Sequence, residues 1–317
     1  MAEPKSPARS LRRLSESFSG VLAVAARAEG TGEFVALDPD RVMPTASVIK
    51  LAVLAEVLRQ DQAGSLSLGE QIVLDESSRV GGSGVLKDLS PGVALSVRDY
   101  ATLMIVMSDN TATNMLIDRV GGVGAVNRFV GEQLGLETIA LHRRVSFTAL
   151  EPGSSRPLLG EASPRHLMEL ISLIWQRKLV SPRACEEMLA ILGRQHFLDQ
   201  VPRFLDCGLL TEEGTPAKDI AVACKTGMVD GIRADAGLLL LRGRAVSYAV
   251  MSSGCADTTL HADHEGILAN AAAGRILAEH FWPGPGHAPV RTRPSHHSRG
   301  EETQPAEPAD HTGEETR

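Results

Sequence analysis

Aromatic residues make up only 3% of the chain, which argues against a surface built to stack nucleic-acid bases. Positive charge is also short. Thirty-two Lys and Arg against 39 Asp and Glu leave a net charge of −7, so a polyanion is not an expected partner. Cysteines are few, and Cys185, Cys207, Cys224 and Cys255 show neither C-x-x-C spacing nor a zinc-site pattern. Reduced thiols are expected, with no structural metal. No apolar run approaches the ~20 residues of a membrane-spanning helix. The glycines of "VGGSGVL" are not followed by the Lys-Ser pair of a phosphate loop, so no nucleotide cofactor is implied. The histidines of "HADHE", His261 and His264, are weak evidence for a metal, and none is expected.

What is present is apolar content: 43% of 317 residues, enough for a substantial core. Residues 1–14 read as a flexible lead, with a helix over 10–19 that would put Leu11, Leu14 and Phe18 on one side. Arg12 and Arg13 precede a short apolar run, Gly20 to Ala26, as in a twin-arginine export signal. The run is too short and Glu16 interrupts its approach, so a cytoplasmic chain is the expectation. "GVLAVAARA" and "EFVALD" read as a strand pair around the turn "EGTG". A mostly helical region, about 51–215, follows. "IAVACKTG", "AGLLLLRG" and "AVSYAVMSSG" then read as three consecutive strands, and "HEGILANAAAGRILAEHFW" as a closing helix. Residues 283–317 are nearly devoid of apolar side chains and read as a disordered tail. Strands at both ends and helices between them predict one α+β domain, 15–282. Its sheet is built from both ends of the chain.

Within "TASVIKLAVLAEVL", only Lys50 and Glu56 break the apolar run after Ser47. A helix apolar nearly all round belongs inside a core. A lone ammonium there costs several kcal/mol unless it is partnered or deprotonated. Ser47, three residues earlier, shares its face. The pair forms an S-x-x-K motif. Ser108-Asp109-Asn110 follows, and Lys225-Thr226-Gly227 comes at the end of a predicted strand. Any one of these short patterns is unspecific; the ordered set is the signature of class A β-lactamases and penicillin-binding proteins.

The chain therefore resembles the class A β-lactamase-like serine hydrolases over roughly residues 15–282. The resemblance implies an α-β-α sandwich, with a five-stranded antiparallel sheet flanked by helices, an inserted all-α lobe, and the active site between them. It implies Ser47 as nucleophile, Lys50 as base and Ser108 as proton relay. The backbone N–H groups of Ser47 and Met228 would form the oxyanion hole. Asn110, Lys225, Thr226 and Gly227 would hold substrate, with Arg233 assisting. Read from the residues alone, Arg233 fits an ion pair with Asp230 or Asp235 equally well. A monomer acting on a small acyl donor, without cofactor, is expected.

One departure stands out. The family carries a glutamate in an E-x-x-L-N motif after S-D-N, which activates the deacylating water. No such motif exists here, and no asparagine occurs between Asn127 and Asn270. The corresponding stretch, "LHRRVSFTALEPGSSRPLLGEASPRHL", offers Glu151 and Glu161 as possible bases. Glu161 also reads as a charge before a helix start, and Glu151 as a solvated loop residue. Acylation is thus well marked, deacylation is not. β-Lactam, amide or ester hydrolysis, acyl transfer to an amine, and covalent capture without turnover all remain open.

Overall fold

A computed structural model describes residues 6–74, 76–147, 158–208, 210 and 216–291. The elements in chain order are α1 (Pro7–Glu16), β1 (Val21–Ala28), β2 (Phe34–Leu37), β3 (Met43–Pro44), α2 (Lys50–Gln62), β4 (Gln71–Val73), β5 (Ala94–Ser96), α3 (Val97–Val106) and α4 (Asn110–Arg119). There follow α5 (Val123–Asn127), β6 (Ala140–Leu141), β7 (Gly160–Ala162), α6 (Pro164–Trp175), α7 (Pro182–Leu192), β8 (Cys207–Gly208), β9 (Ile220–Val229), β10 (Ile232–Leu241), β11 (Arg244–Ser253) and α8 (Glu265–Phe281).

The main sheet runs β2-β1-β11-β10-β9-β8. Its first five strands are antiparallel, as expected. The sixth, β8, is a two-residue strand pairing parallel with the start of β9. Side-chain alternation sorts the sheet residues onto two layers. Leu22, Val24 and Ala26 of β1 join Leu239, Leu241, Val246 and Val250 beneath α1 and α8. Ala23, Ala25, Ala234, Ala236 and Ala249 face the larger cluster under α6 and the helical lobe. Alanine on that face lets the helices approach the sheet closely. Because both faces are covered, the three long C-terminal strands are apolar runs rather than alternating ones.

Three expectations need correction. The lead is helical from Pro7, a favoured first residue of a helix, and its Leu11 is fully buried. The lobe also carries short strands: β4 and β5 pair within it, and β6 and β7 pair there, β7 also joining β3 ahead of the lobe. The tail does not begin at residue 283: Ala288 is buried, Val290 bridges Leu205, and Arg291 N–H donates to Phe204 O. A few apolar residues among prolines suffice to dock a segment that composition alone reads as unfolded. Residues 292–317 lie outside the described ones. The apolar run near the N-terminus is the strand β1, paired with both β2 and β11. Among the described residues no helix is long and apolar enough to cross a membrane.

α2 is the axis of the lobe. Every residue from Lys50 to Leu58 is buried, and α3, α4, α5 and α7 pack around it. Truncating Leu54 to alanine in this fully buried row should cost about 2–5 kcal/mol, transfer plus cavity. A urea midpoint lowered accordingly, with unchanged slope, checks this; a loss below 1 kcal/mol would mean that the lobe collapses around the gap.

Candidate active site

Ser47 does not open α2 directly. It lies in a 3₁₀ turn, Ala46–Ile49, that runs into the helix at Lys50. With three residues per turn, residues i and i+3 eclipse, so Ser47 and Lys50 stand on one line. Ala46 enters the turn with φ of 45°, a left-handed conformation that costs a non-glycine residue about 1–2 kcal/mol. Ser47 is half-buried, whereas Lys50 is fully buried.

Lys50 Nζ reaches Ser108 O at 2.7 Å, Ser108 Oγ at 3.2 Å and Asn110 Oδ1 at 2.9 Å. Among the described residues it has no ion-pair partner. Burial drives its pKa well down, the nearby Lys225 ammonium pushes the same way, and Asp109 opposes them weakly. A neutral amine keeps two N–H bonds, to Ser108 O and Asn110 Oδ1, and its lone pair is left to take a proton from a hydroxyl. The other polar residue of the helix behaves differently. Glu56 receives Arg59 through two bonds of 2.7 and 2.8 Å, so its charge is compensated.

Ser108 is itself left-handed, with φ of 53°. What holds it there is Asp109. That carboxylate caps α4 through Ala112 N–H at 2.8 Å, and it accepts Val85 and Leu86 N–H at 2.7 and 2.9 Å. Gly84, at φ of +105°, passes so close that any Cβ would lie 2.2 Å from Asp109 Oδ2. The middle residue of the S-D-N triplet is therefore a fastener, not a reactant.

β9 brings up the third motif. Gly227 lies against the 3₁₀ turn: a Cβ there would sit 2.5 Å from Thr45 O and 2.9 Å from Ser47 N. Glycine lets the strand approach the serine. Lys225 is fully buried and donates to Thr226 O at 2.5 Å. Burial lowers it to about 8, with the carboxylates of Asp235 and Asp199 holding it up. Two glutamines invisible to pattern reading secure this strand. Gln195 bridges Ile105 O of α3 and Cys224 O of β9 at 3.1 and 3.2 Å, tying lobe to sheet. Gln200 donates to Gly227 O at 3.2 Å. Buried glutamines in a loop carry no periodic signal.

Lys50, Ser108 and Asn110 are thus bonded to one another and Gly227 is brought against Ser47, with Lys225 and Thr226 preceding it on β9 and Met228 exposed after it. Arg233 is not. It is fully buried and gives its guanidinium to Val229 O, Ile232 O and Thr259 O at 2.7, 2.8 and 2.9 Å. It pairs with neither Asp230 nor Asp235; it braces the β9–β10 hairpin end. Asp235 instead accepts Val201 N–H and the Tyr248 hydroxyl.

Glu161 lies in β7 opposite Pro44 and Ala140, two residues ahead of Ser163, the cap of the expected helix start at α6, and its carboxylate is 3.5 Å from His142 Nε2. Glu151 lies outside the described residues. Another residue missed in the sequence is Asn114, one turn after Asn110 on α4. It grips both backbone groups of Val145, at 2.9 and 2.8 Å. The loop segment it holds, Arg143 to Phe147, contains no carboxylate. His264 caps α8 through Gly266 N–H, and no metal-holding group occurs among the described residues.

The β-lactamase enzyme family model matches residues 6–281. The chain is similar to a β-lactamase of Streptomyces fradiae, 31% identical over 85% of this chain and 84% of that protein. It is 32% identical to a β-lactamase of Streptomyces lavendulae, in a match spanning 48% of that protein. Among solved structures it is similar to a β-lactamase from Sphaerobacter thermophilus, with 28% identity and a TM-score of 0.74 over 86% of this chain and 96% of that one. It is also similar to a mutant of PBP-A solved as an acyl-enzyme complex with penicillin G: 25% identity, TM-score 0.73, 87% and 95% covered.

The two lysines set a pH profile. Lys50 is deprotonated well below its ordinary range, so it does not limit the alkaline side. Lys225 loses its charge near pH 8. For an acyl donor bearing a carboxylate, kcat/KM for acylation should fall about tenfold per pH unit above that point, since this parameter reports the free enzyme. Lys225→Arg should move the alkaline limb out of the accessible range, because guanidinium stays charged. A limb unmoved in that variant would assign it to another group.

Proposed function

We propose, on the premise that the chain belongs to the β-lactamase enzyme family and is a hydrolase of that kind, that Ser47 forms an acyl-enzyme with a small carboxylate-bearing acyl donor. The observation that carries this reading is Lys50: a fully buried amine, on the same face as Ser47 and 3.2 Å from Ser108 Oγ. A serine hydroxyl is a weak nucleophile at neutral pH and needs such a base. Lys50 takes the proton as Ser47 Oγ attacks the carbonyl carbon. Ser108 passes a proton on to the departing nitrogen or oxygen. The N–H groups of Ser47 and Met228 receive the oxyanion, each worth about 3 kcal/mol of barrier. Ser47 is the second residue of its turn, whose first closing bond is from Val48 N–H to Thr45 O, so the Ser47 N–H has no partner within it. Lys225 and Thr226 hold the donor's carboxylate, and Asn110 orients both Lys50 and the acyl group.

Release of the acyl group has no comparable support. The described part of the loop beside Asn114 offers no carboxylate, and Glu161 is engaged with His142. A general base contributes about 10²–10⁴-fold, so hydrolysis of the acyl-enzyme should be slow by that order. The same gap favours a second reading, acyl transfer to an amine that needs less activation than water. Retention of the acyl group, as in a covalent binder, is its limit.

Stopped-flow with nitrocefin should show a burst of one equivalent opened per Ser47, then a slow steady state that a good amine acceptor accelerates. Rapid linear turnover without a burst would show that another group, Glu151 first, activates water. Lys50→Arg should abolish the burst, since a guanidinium is no base at neutral pH. Ser47→Ala should carry no adduct by mass spectrometry, and an adduct at any other residue would remove the assignment.

A further inference from the structure

One peptide unit holds both the carbonyl of Gly227 and the N–H of Met228. It is trans, as all the described peptide bonds are, so the two groups lie in one plane and point in opposite directions. Whatever holds the carbonyl therefore aims the N–H. β10 pairs with β9 along this stretch, but β8 reaches only Ile220 and Ala221, so no second strand flanks β9 at this peptide. Gln200 takes up the carbonyl instead, its Nε2 donating to Gly227 O at 3.2 Å. The side chain is buried and tied at its other end, where Oε1 accepts from Asn270 Nδ2 of α8 at 2.8 Å. The next residue, Val201, gives its N–H to Asp235 Oδ2 at 3.0 Å. Gly274 of α8 passes so close that a Cβ there would lie 2.3 Å from Val201 O. The order of donors along this chain is dictated by its end. A carbonyl only accepts, so Gln200 must turn its NH₂ to Gly227 and its oxygen to Asn270, which then presents its own NH₂. Asn270 is fully buried, and its Oδ1 is left without a partner. Apolar side chains at 200 and 270 would pack loop against helix without that penalty, so packing does not account for the pair. What the pair reaches is the strand residue that abuts the serine, since a Cβ on Gly227 would lie 2.9 Å from Ser47 N.

We infer that Gln200, held by Asn270, is a positioning residue of the oxyanion hole: it locks the Gly227–Met228 peptide so that the Met228 N–H meets the developing oxyanion beside the Ser47 N–H. The inference rests on the acyl-enzyme reading and adds to it the group that aims one of its two donors. A donor on the carbonyl also polarises the amide, which makes the N–H at its other end a stronger donor. Gln200 is neutral and already bonded before substrate arrives, so the aim is set in advance and nothing reorganises as charge develops.

The test uses Gln200→Met, which keeps the length of the side chain and cannot donate. Asn270→Leu leaves Gln200 in place and removes its tether, and it carries the test if the first variant does not fold. Stopped-flow acylation by nitrocefin separates the saturating rate constant from the apparent dissociation constant. Gln200→Met should lower the first about tenfold, a fraction of the 10²–10³ that an entire oxyanion donor is worth, and leave the second little changed. Asn270→Leu should act in the same direction and less strongly. The second readout is the infrared band of the ester carbonyl in the penicillin G acyl-enzyme, picked out by isotopic labelling of the lactam carbonyl carbon. A weaker hydrogen bond leaves more double-bond character, so the band should move to higher wavenumber in both variants. Only acylated, folded protein contributes to it, so a loss of stability alone does not move it. A band unmoved in both variants, or a loss that falls on the dissociation constant with the rate constant unchanged, makes the pair a brace of the fold and overturns the inference while leaving Ser47 as the nucleophile. No adduct on Ser47 of the wild-type chain overturns the acyl-enzyme reading and the positioning role with it.

Discussion

A lysine buried without a carboxylate is the constraint on which the rest of this structure depends. Lys50 sits at the start of the most enclosed helix in the lobe. The surroundings supply one carbonyl, one hydroxyl and one amide oxygen. That set can satisfy an amine but does not balance an ammonium. A salt-bridge partner would have restored the charge and removed the basicity. The contrast with Glu56, six residues later in the same helix and tied to Arg59, shows that the fold can neutralise a buried charge there. At Lys50 it does not.

Leaving the amine uncompensated places strict demands on the backbone around it. Ser108 must offer both its carbonyl and its hydroxyl to one nitrogen, which its left-handed conformation permits. Strain of that kind persists only where neighbouring contacts over-determine it. Asp109 does this with three N–H donors drawn from two segments. Gln195 then fixes the spacing between the lobe, which carries Lys50 and Ser108, and β9, which carries Lys225. The second ammonium helps hold the first one neutral, so bringing the two elements together is part of the chemistry and not only of the packing.

The parts of this arrangement that could be read from the sequence are those encoded locally. Ser47 with Lys50, Ser108 with Asn110, and Lys225 with Gly227 are each within a few residues, and the periodicity around them assigns their elements. The three long strands are equally legible, because both faces are covered and the apolar runs are uninterrupted. Arg233 was ambiguous, because its partners are backbone carbonyls, one of them 26 residues away, and carbonyls have no sequence signature. Gln195, Gln200 and Asn114 act across comparable distances through side chains that elsewhere decorate surfaces. The docking of residues 288–291 and the two-residue strand β8 depend on a few contacts, below the length at which a pattern exists. Composition placed both edges of the folded domain too far in, because a few apolar residues at each end are enough to dock.

The asymmetry between the two halves of the proposed reaction has a structural origin. Attack by Ser47 uses groups on rigid elements: the 3₁₀ turn, the first turns of α2 and α4, and the middle of β9. Deacylation needs a carboxylate beside the acyl carbonyl, and the described segment in that neighbourhood is tied down by the Asn114 clamp on the Val145 backbone and by the pairing of Arg144 with Asp118. A clamp on backbone atoms fixes where the loop runs and leaves its side chains unspecified. Acylation machinery and loop path can therefore persist whichever side chain the loop presents to water. What then decides the fate of the acyl group is the nucleophile that can enter the cleft. An amine arrives already nucleophilic, and water does not.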